Sequence, residues 1–142
     1  MSQCTFCDIV KGEINAAFVY EDDTSVAFLD HRPLFPGHIL LAPRSHYVTL
    51  PDLPTALVPE FFVAAQLLSR AVQLAMKSQG TFVAMNNTVS QSVPHLHVHI
   101  VPRTKGDGLK GFFWPRTTYK EVDHIIQVQE SIRAEVRNLI KE

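Results

Sequence analysis

The run Gln91-Ser92-Val93-Pro94-His95-Leu96-His97-Val98-His99-Ile100-Val101-Pro102 places three imidazoles at alternate positions. On a strand, successive side chains point to opposite faces, so His95, His97 and His99 share one face while Leu96, Val98 and Ile100 enter the core. Two chemistries use such a row. In one, neutral imidazoles hold a catalytic zinc or iron. Such sites usually recruit a carboxylate as well, and here the run continues into Pro102-Arg103 with no acid before Asp107. In the other, the central His97 is a nucleophile that attacks phosphorus, and its neighbours hydrogen-bond the phosphate oxygens. The Ser92 hydroxyl and the Asn86 amide suit that site, so phosphoryl chemistry fits the segment better than metal hydrolysis. A solvated strand face that happens to be rich in histidine is the reading without chemistry.

The elements that position this row are short. Phe18-Val19-Tyr20 and Val26-Ala27-Phe28-Leu29 flank the polar turn Glu21 to Thr24 as in a hairpin, and a third strand, Ile39 to Ala42, is entered through Pro36-Gly37. From Pro59 to about Gln79 apolar residues recur at helical spacing, with Pro59 suited to the first turn and Gly80 to the end. Thr81 to Met85 reads as a fourth strand and His95 to Val101 as a fifth. Residues 102–118 have no apolar period and read as a loop. Thr118 and Glu121 have the spacing of a capping box before a long amphipathic helix over 119–142. The set argues one domain over 1–142 of class α+β, with an antiparallel sheet of about five strands, a central helix and a long C-terminal helix.

Composition narrows the function classes. The chain has 142 residues, enough for one core, and 46% hydrophobic with 19% charged residues is the balance of a globular protein. Lys plus Arg is 13 against 14 for Asp plus Glu, so no bulk positive field points to nucleic acid or an anionic membrane. The unbroken apolar runs are far below the roughly 20 residues of a bilayer span. The start, Met-Ser-Gln-Cys-Thr-Phe-Cys, lacks the basic and apolar regions of a secretory signal, and a cytoplasmic location is the expectation.

His95-Leu96-His97-Val98-His99-Ile100-Val101 matches in full the signature of the histidine triad family, His-x-His-x-His-x-x with apolar x. The chain resembles that family over most of its length, through Cys4 to Val10, Val19 to Asp23, Ala27 to Asp30 and Pro36-Gly37-His38. The resemblance implies a homodimeric nucleotide-binding enzyme that cuts a bond to an α-phosphate through a nucleotidyl-histidine. Phosphoramidates are one substrate class; dinucleoside polyphosphate hydrolysis, nucleotidyl transfer and, in another class, a nucleotide-binding regulator are the alternatives. Carried over by position, His97 is the nucleophile, His95 and His99 hold and polarise the phosphate, Ser92 assists the leaving group and His38 orients the nucleophile. Asn86 and Gln91 lie in the stretch that meets the phosphate and leaving group, Asp30 meets the ribose, and Phe6, Ile9 and Phe28 line the slot for the purine. Three features depart from the pattern: Asn86 to Ser90 is short and lacks glycine, His31 stands where many members carry an apolar residue, and Pro94 stiffens the entry to the triad.

Cys4-x-x-Cys7 has the spacing of half a zinc site, a weak signal alone. Some relatives bind a structural zinc through two N-terminal cysteines, a histidine after the third strand and the first histidine of the triad. The corresponding residues here are Cys4, Cys7, His46 and His95. Such a closed site would pin the N-terminus to the sheet and remove His95 from proton work, and no catalytic metal is expected. Gly106-Asp107-Gly108-Leu109-Lys110-Gly111 is literally a G-x-G-x-x-G, but no helix opens within it, and it reads as a loop. Arg103, Lys105, Lys110 and Arg116 of this region could meet a polyphosphate, and Phe112, Phe113 and Trp114 could cover a nucleotide or pack at a subunit contact. His124, inside the last helix, reads as structural or exposed.

Overall fold

The expected hairpin is formed by Phe18–Glu21 (β1) and Ser25–Leu29 (β2), which pair antiparallel with a bulge between Phe18 and Tyr20. Its turn is held by Asp22, whose carboxylate accepts from the N–H groups of Thr24 at 2.8 Å and Ser25 at 2.7 Å. The computed structural model describes residues 3–109 and 116–141, in two compact units, Met1–Asp107 and Gly108–Glu142.

The first unit is built on a five-stranded antiparallel sheet. With Ile39–Pro43 (β3), Gly80–Ala84 (β4) and Val98–Arg103 (β5), the strand order is β1-β2-β3-β5-β4. Entry into β3 needs glycine, because Gly37 has φ +94 and a Cβ there would meet the Met76 side chain at 2.5 Å. The central helix, Val58–Met76 (α2), begins with Pro59 in its first turn and lays Phe61, Ala64, Ala65, Leu68 and Val72 on one sheet face. There they pack with Ala27, Ile39, Leu41, Leu96, Val98 and Ile100. The segment Thr55–Met76 has the length and hydropathy of a membrane span, but this buried stripe makes it the core helix of the sheet.

The opposite face is covered near the N-terminus by a helix to which the sequence reading assigns no element. Thr5–Lys11 (α1) is capped by Cys4, whose sulfur accepts the Cys7 N–H at 3.3 Å, and ends at Gly12 in the left-handed region. It buries Phe6 and Ile9 against Val26, Phe28, Leu40 and Ala42. Strands β2 and β3 are thus buried on both faces, and they read as unbroken apolar runs rather than as alternation.

Three expected boundaries move. The fifth strand begins at Val98 and not at His95, so His95 and His97 lie in irregular backbone before it. Helix α2 stops at Met76 with Lys77 as its left-handed cap, while Gly80 opens β4 instead of ending the helix. In the second unit, Val122–Ile140 (α3) starts after Glu121 as N-cap, without a side-chain cap bond, so the Thr118–Glu121 capping box is not formed. None of the residues of α3 is buried. His124 accepts from the Lys120 N–H at 3.3 Å and stacks edge-on against Tyr119. Lys110, Gly111, Phe112, Phe113 and Trp114 lie outside the described residues.

Candidate active site

A cavity of about 820 Å³ opens between α1, the end of β2 and the segment leading into β5. Its lining is largely apolar, with Phe6, Ile9, Phe28 and Leu40 among it, and its polar lining groups include Asp30, His31, Ser92, His97 and His99. Phe6 meets Phe28 edge-on at 5.3 Å and His97 at 5.0 Å, so the apolar lining abuts His97 directly.

Hydrogen bonds assign the tautomers. His97 Nδ1 lies 2.7 Å from the His95 carbonyl oxygen, and a carbonyl only accepts, so Nδ1 carries the proton and Nε2 the lone pair. A second chain fixes His99. The Leu34 N–H donates to His38 Nδ1 at 3.1 Å, which leaves the proton of a neutral His38 on Nε2. That N–H reaches His99 Nδ1 at 3.0 Å and Asp30 Oδ2 lies 3.7 Å away. His99 Nδ1 is therefore an acceptor, and its own proton sits on Nε2. Two rings on the cavity wall thus offer complementary atoms: a lone pair on His97 and an N–H on His99.

Burial keeps these rings neutral. Desolvation pulls His97, His95 and His38 below the ordinary histidine value and His99 down to about 4, with neighbouring histidines adding to the effect on His99. Asp30 acts against this at His38, His97 and His99 without reversing it. The unfolded chain therefore binds more protons than the folded one below about pH 6.5, and stability is lost as pH falls from there through about 4. Thermal unfolding should show a midpoint that drops steadily over that window, with a shallower drop in His99→Gln.

The other expected residues are distributed unevenly. Phe6, Ile9, Phe28, Asp30, Ser92, His97 and His99 line one cavity, and His38 stands behind His99. His31 is on the rim with its side chain 89% exposed. Asn86 and Gln91 are not among the lining residues; Asn86 donates to the Ser90 carbonyl at 3.2 Å, and Gln91 donates to the Val48 carbonyl at 2.6 Å while accepting from the Thr88 N–H at 2.9 Å. These bonds shape a glycine-free loop that holds Thr88 and Ser90 at positive φ. Sequence reasoning missed the Leu34 amide and the Pro43 and His95 carbonyls, main-chain groups that leave no signal in residue type.

Cys4, Cys7, His46 and His95 form a second cluster, with one ligand atom from each lying within 4.8 Å of all the others. His95 Nδ1 is 3.3 Å from Cys4 Sγ and 3.6 Å from Cys7 Sγ, and His46 Nδ1 is 3.4 Å from Cys7 Sγ. A tetrahedral zinc with bonds of about 2.3 Å to sulfur and 2.0–2.1 Å to nitrogen has S···N edges of about 3.5 Å, which these separations match. His95 Nε2 donates to the Pro43 carbonyl at 2.8 Å, which turns the lone pair of Nδ1 toward the thiols. Burial and the adjacent Cys4 push the Cys7 thiol up to about 11, so Cys7 needs a nearby cation to become thiolate. The residues fit a closed zinc site of the Cys₂His₂ type.

Residues 11–106 match the family model described as HIT domain. The chain is 36% identical over 116 residues to adenosine 5'-monophosphoramidase HNT1 of Saccharomyces cerevisiae, covering 79% of this chain and 70% of that protein. It is 36% identical over 110 residues to adenylylsulfatase HINT3 of Arabidopsis thaliana, covering 76% of this chain and 56% of that one. Among solved structures, SMU.412c from Streptococcus mutans UA159 is similar with a TM-score of 0.86 at 33% identity, over 96% of this chain and 87% of that chain. A Zn-bound histidine triad family protein from Mycobacterium smegmatis is similar with a TM-score of 0.72 at 32% identity, over 91% and 97%.

Proposed function

The chain belongs to the HIT domain family, and on that premise we propose that it hydrolyses nucleoside 5′-phosphoryl conjugates, phosphoramidates of AMP foremost, through a nucleotidyl-His97 intermediate. The observation that carries the reading is the pair of opposite tautomers on the cavity wall, His97 with a lone pair on Nε2 and His99 with a proton there. His97 Nε2 forms the bond to the α-phosphorus in line as the bond to the leaving nitrogen breaks. The ring becomes cationic, and the His95 carbonyl then accepts a stronger, charge-assisted hydrogen bond from Nδ1–H. His99 Nε2–H stabilises the charge on the phosphoryl oxygens, and the Ser92 hydroxyl stands on the same wall to pass a proton to the leaving amine. Water then attacks phosphorus and returns a proton to the Ser92 oxygen, the bond from phosphorus to His97 Nε2 breaks, and the nucleoside monophosphate leaves with His97 neutral and Ser92 protonated again.

The names of the two enzyme relatives both carry an adenylyl group, which favours AMP conjugates over other nucleotides. The apolar slot of Phe6, Ile9 and Phe28 takes the base on this reading, and Asp30 takes the ribose hydroxyls. Asp30→Asn should then lower the preference for ribose over 2′-deoxyribose by about tenfold or more, since a hydrogen bond to a charged group is worth ~1.5–3 kcal/mol. Paired kcat/KM values for the ribo- and deoxyribonucleotide check this, and an unchanged ratio removes the assignment.

Cys4, Cys7, His46 and His95 would hold a zinc whose contribution is structural, tying α1 to the sheet. A homodimer is supported by the exposed Phe62, Val63 and Leu67 of α2 beside Val83 on the edge strand β4, which together line a shallow groove. Cys4 and Cys7 serving as metal ligands rather than as a disulfide suit a reducing, cytoplasmic setting. The function is tested by AMP release from adenosine 5′-phosphoramidate measured beside a diadenosine polyphosphate. Faster turnover of the phosphoramidate supports the reading; turnover of the polyphosphate alone moves the protein to the dinucleoside hydrolases, and turnover of neither favours a nucleotide-binding regulator.

A further inference from the structure

One buried residue belongs to both clusters. The His95 ring faces Cys4 and Cys7 through Nδ1 and the Pro43 carbonyl through Nε2, while its main-chain carbonyl accepts the Nδ1–H of His97. The peptide that carries this carbonyl is held from its other side as well, because the Leu96 N–H donates to the Tyr47 carbonyl at 2.7 Å. Tyr47 follows His46, another member of the Cys/His cluster. The sheet does not hold this peptide, since the ladder with β3 runs only from Val98 onward. Phe6 adds a third link: it precedes Cys7 on α1 and meets the His95 ring at 5.9 Å and the His97 ring at 5.0 Å, both edge-on.

We infer that closure of the Cys4, Cys7, His46 and His95 cluster around zinc sets the orientation and tautomer of the His97 ring, with His95 as the positioning residue that transmits it. The inference rests on the zinc site and the His97 role proposed above. An open cluster removes the anchor at His95 Nδ1 and leaves the 95–96 peptide held by the Leu96–Tyr47 and His95–Pro43 bonds alone, which widens the range of orientations of its carbonyl. A His97 that loses its carbonyl partner populates both tautomers, one of which puts the proton on the attacking Nε2. The metal site is then part of the reaction's machinery without touching substrate, as groups that orient a reacting side chain from behind commonly are.

The test uses full-length protein labelled with ¹⁵N-histidine, compared zinc-loaded, stripped by a chelator and reloaded, together with His46→Ala and His46→Cys. His46 is exposed, so its replacement removes a ligand without opening the core, and it carries the test even if stripping unfolds the chain. Ring ¹⁵N spectra report the His97 tautomer, metal analysis the loading, circular dichroism the fold, and single-turnover kinetics with adenosine 5′-phosphoramidate the rate of attack. Loaded protein should show one Nδ1–H tautomer of His97. Stripped protein and His46→Ala should show a mixture and a rate lower by about ten- to a hundredfold, and reloading or His46→Cys should restore both. Folded, zinc-free protein that keeps the single tautomer and a rate within about twofold would overturn the inference, and so would a wild-type protein that binds no zinc. A zinc-dependent tautomer in a protein that turns over no nucleotide would sustain the inference and fail the functional reading instead.

Discussion

His97→Ala should abolish release of AMP, by at least about 10⁴-fold in kcat, the scale on which removal of a covalent nucleophile acts. The loss follows from the two ring nitrogens having separate tasks. Nδ1 is committed to the His95 carbonyl at 2.7 Å, so Nε2 is the remaining atom on a ring that lines the cavity. Neither His95 nor His99 can stand in. The His95 ring is turned toward the thiols and the Pro43 carbonyl, and His99 presents a proton where a lone pair would be needed. Binding should survive, because the apolar slot and Asp30 are untouched, and AMP titrated into His97→Ala should bind within about tenfold of wild type. His97→Gln serves as the control for packing at this buried position, since it fills much of the space without supplying a nucleophile. Turnover that persists in either variant would remove His97 from the nucleophile's role.

The second large effect is expected at His99. His99→Ala should lower kcat by about 10²–10³-fold, the usual cost of deleting one donor to charge that develops in the transition state. His99→Gln should recover part of that loss, because an amide N–H can be offered at a similar reach, whereas an apolar replacement cannot. The chain behind His99 adds a distinguishing result. The Leu34 N–H sets His38, and His38 sets His99, so His38→Leu leaves His99 free to take the tautomer without a proton on Nε2. Its rate should fall between those of wild type and His99→Ala. It should also lose stability by about 1–3 kcal/mol, because the Leu34 amide is left without its acceptor. Equal rates for wild type and His38→Leu would show that the tautomer of His99 is set some other way.

Reading from the sequence succeeded where side-chain type is itself the signal. The alternation His95, His97, His99 against Leu96, Val98, Ile100 sorts the two faces correctly, and Val98 and Ile100 do pack under α2. Yet the strand begins only at Val98. Side chains alternate through residues 95 to 97 although the sheet ladder does not extend to them, so periodicity overstated the strand. Helix α1 was invisible for a different reason. It is too short for a helical period to emerge from Thr5–Lys11, and its cap is a cysteine rather than the usual hydroxyl or carboxamide. The candidate zinc ligands could be named by type, but their convergence could not, since Cys4 and His95 are 91 positions apart and meet at 3.3 Å only after the sheet brings their segments together. Least legible of all were the carbonyls of Pro43 and His95 and the amide of Leu34. Every residue carries such groups, and only the fold decides which of them set a proton on an imidazole. Asn86 and Gln91 show the reverse limit: their types suit a phosphate site, while the structure has their side chains bonding main-chain groups around the loop.

The central claim is a covalent nucleotidyl-His97, and the stereochemical course at phosphorus tests it most directly. A single diastereomer of adenosine 5′-phosphorothioamidate, hydrolysed by the wild-type protein in ¹⁸O-water, gives a chiral product whose configuration can be determined. Two in-line displacements, first by His97 Nε2 and then by water, predict overall retention of configuration. Inversion would mean a single direct attack by water and would contradict the account.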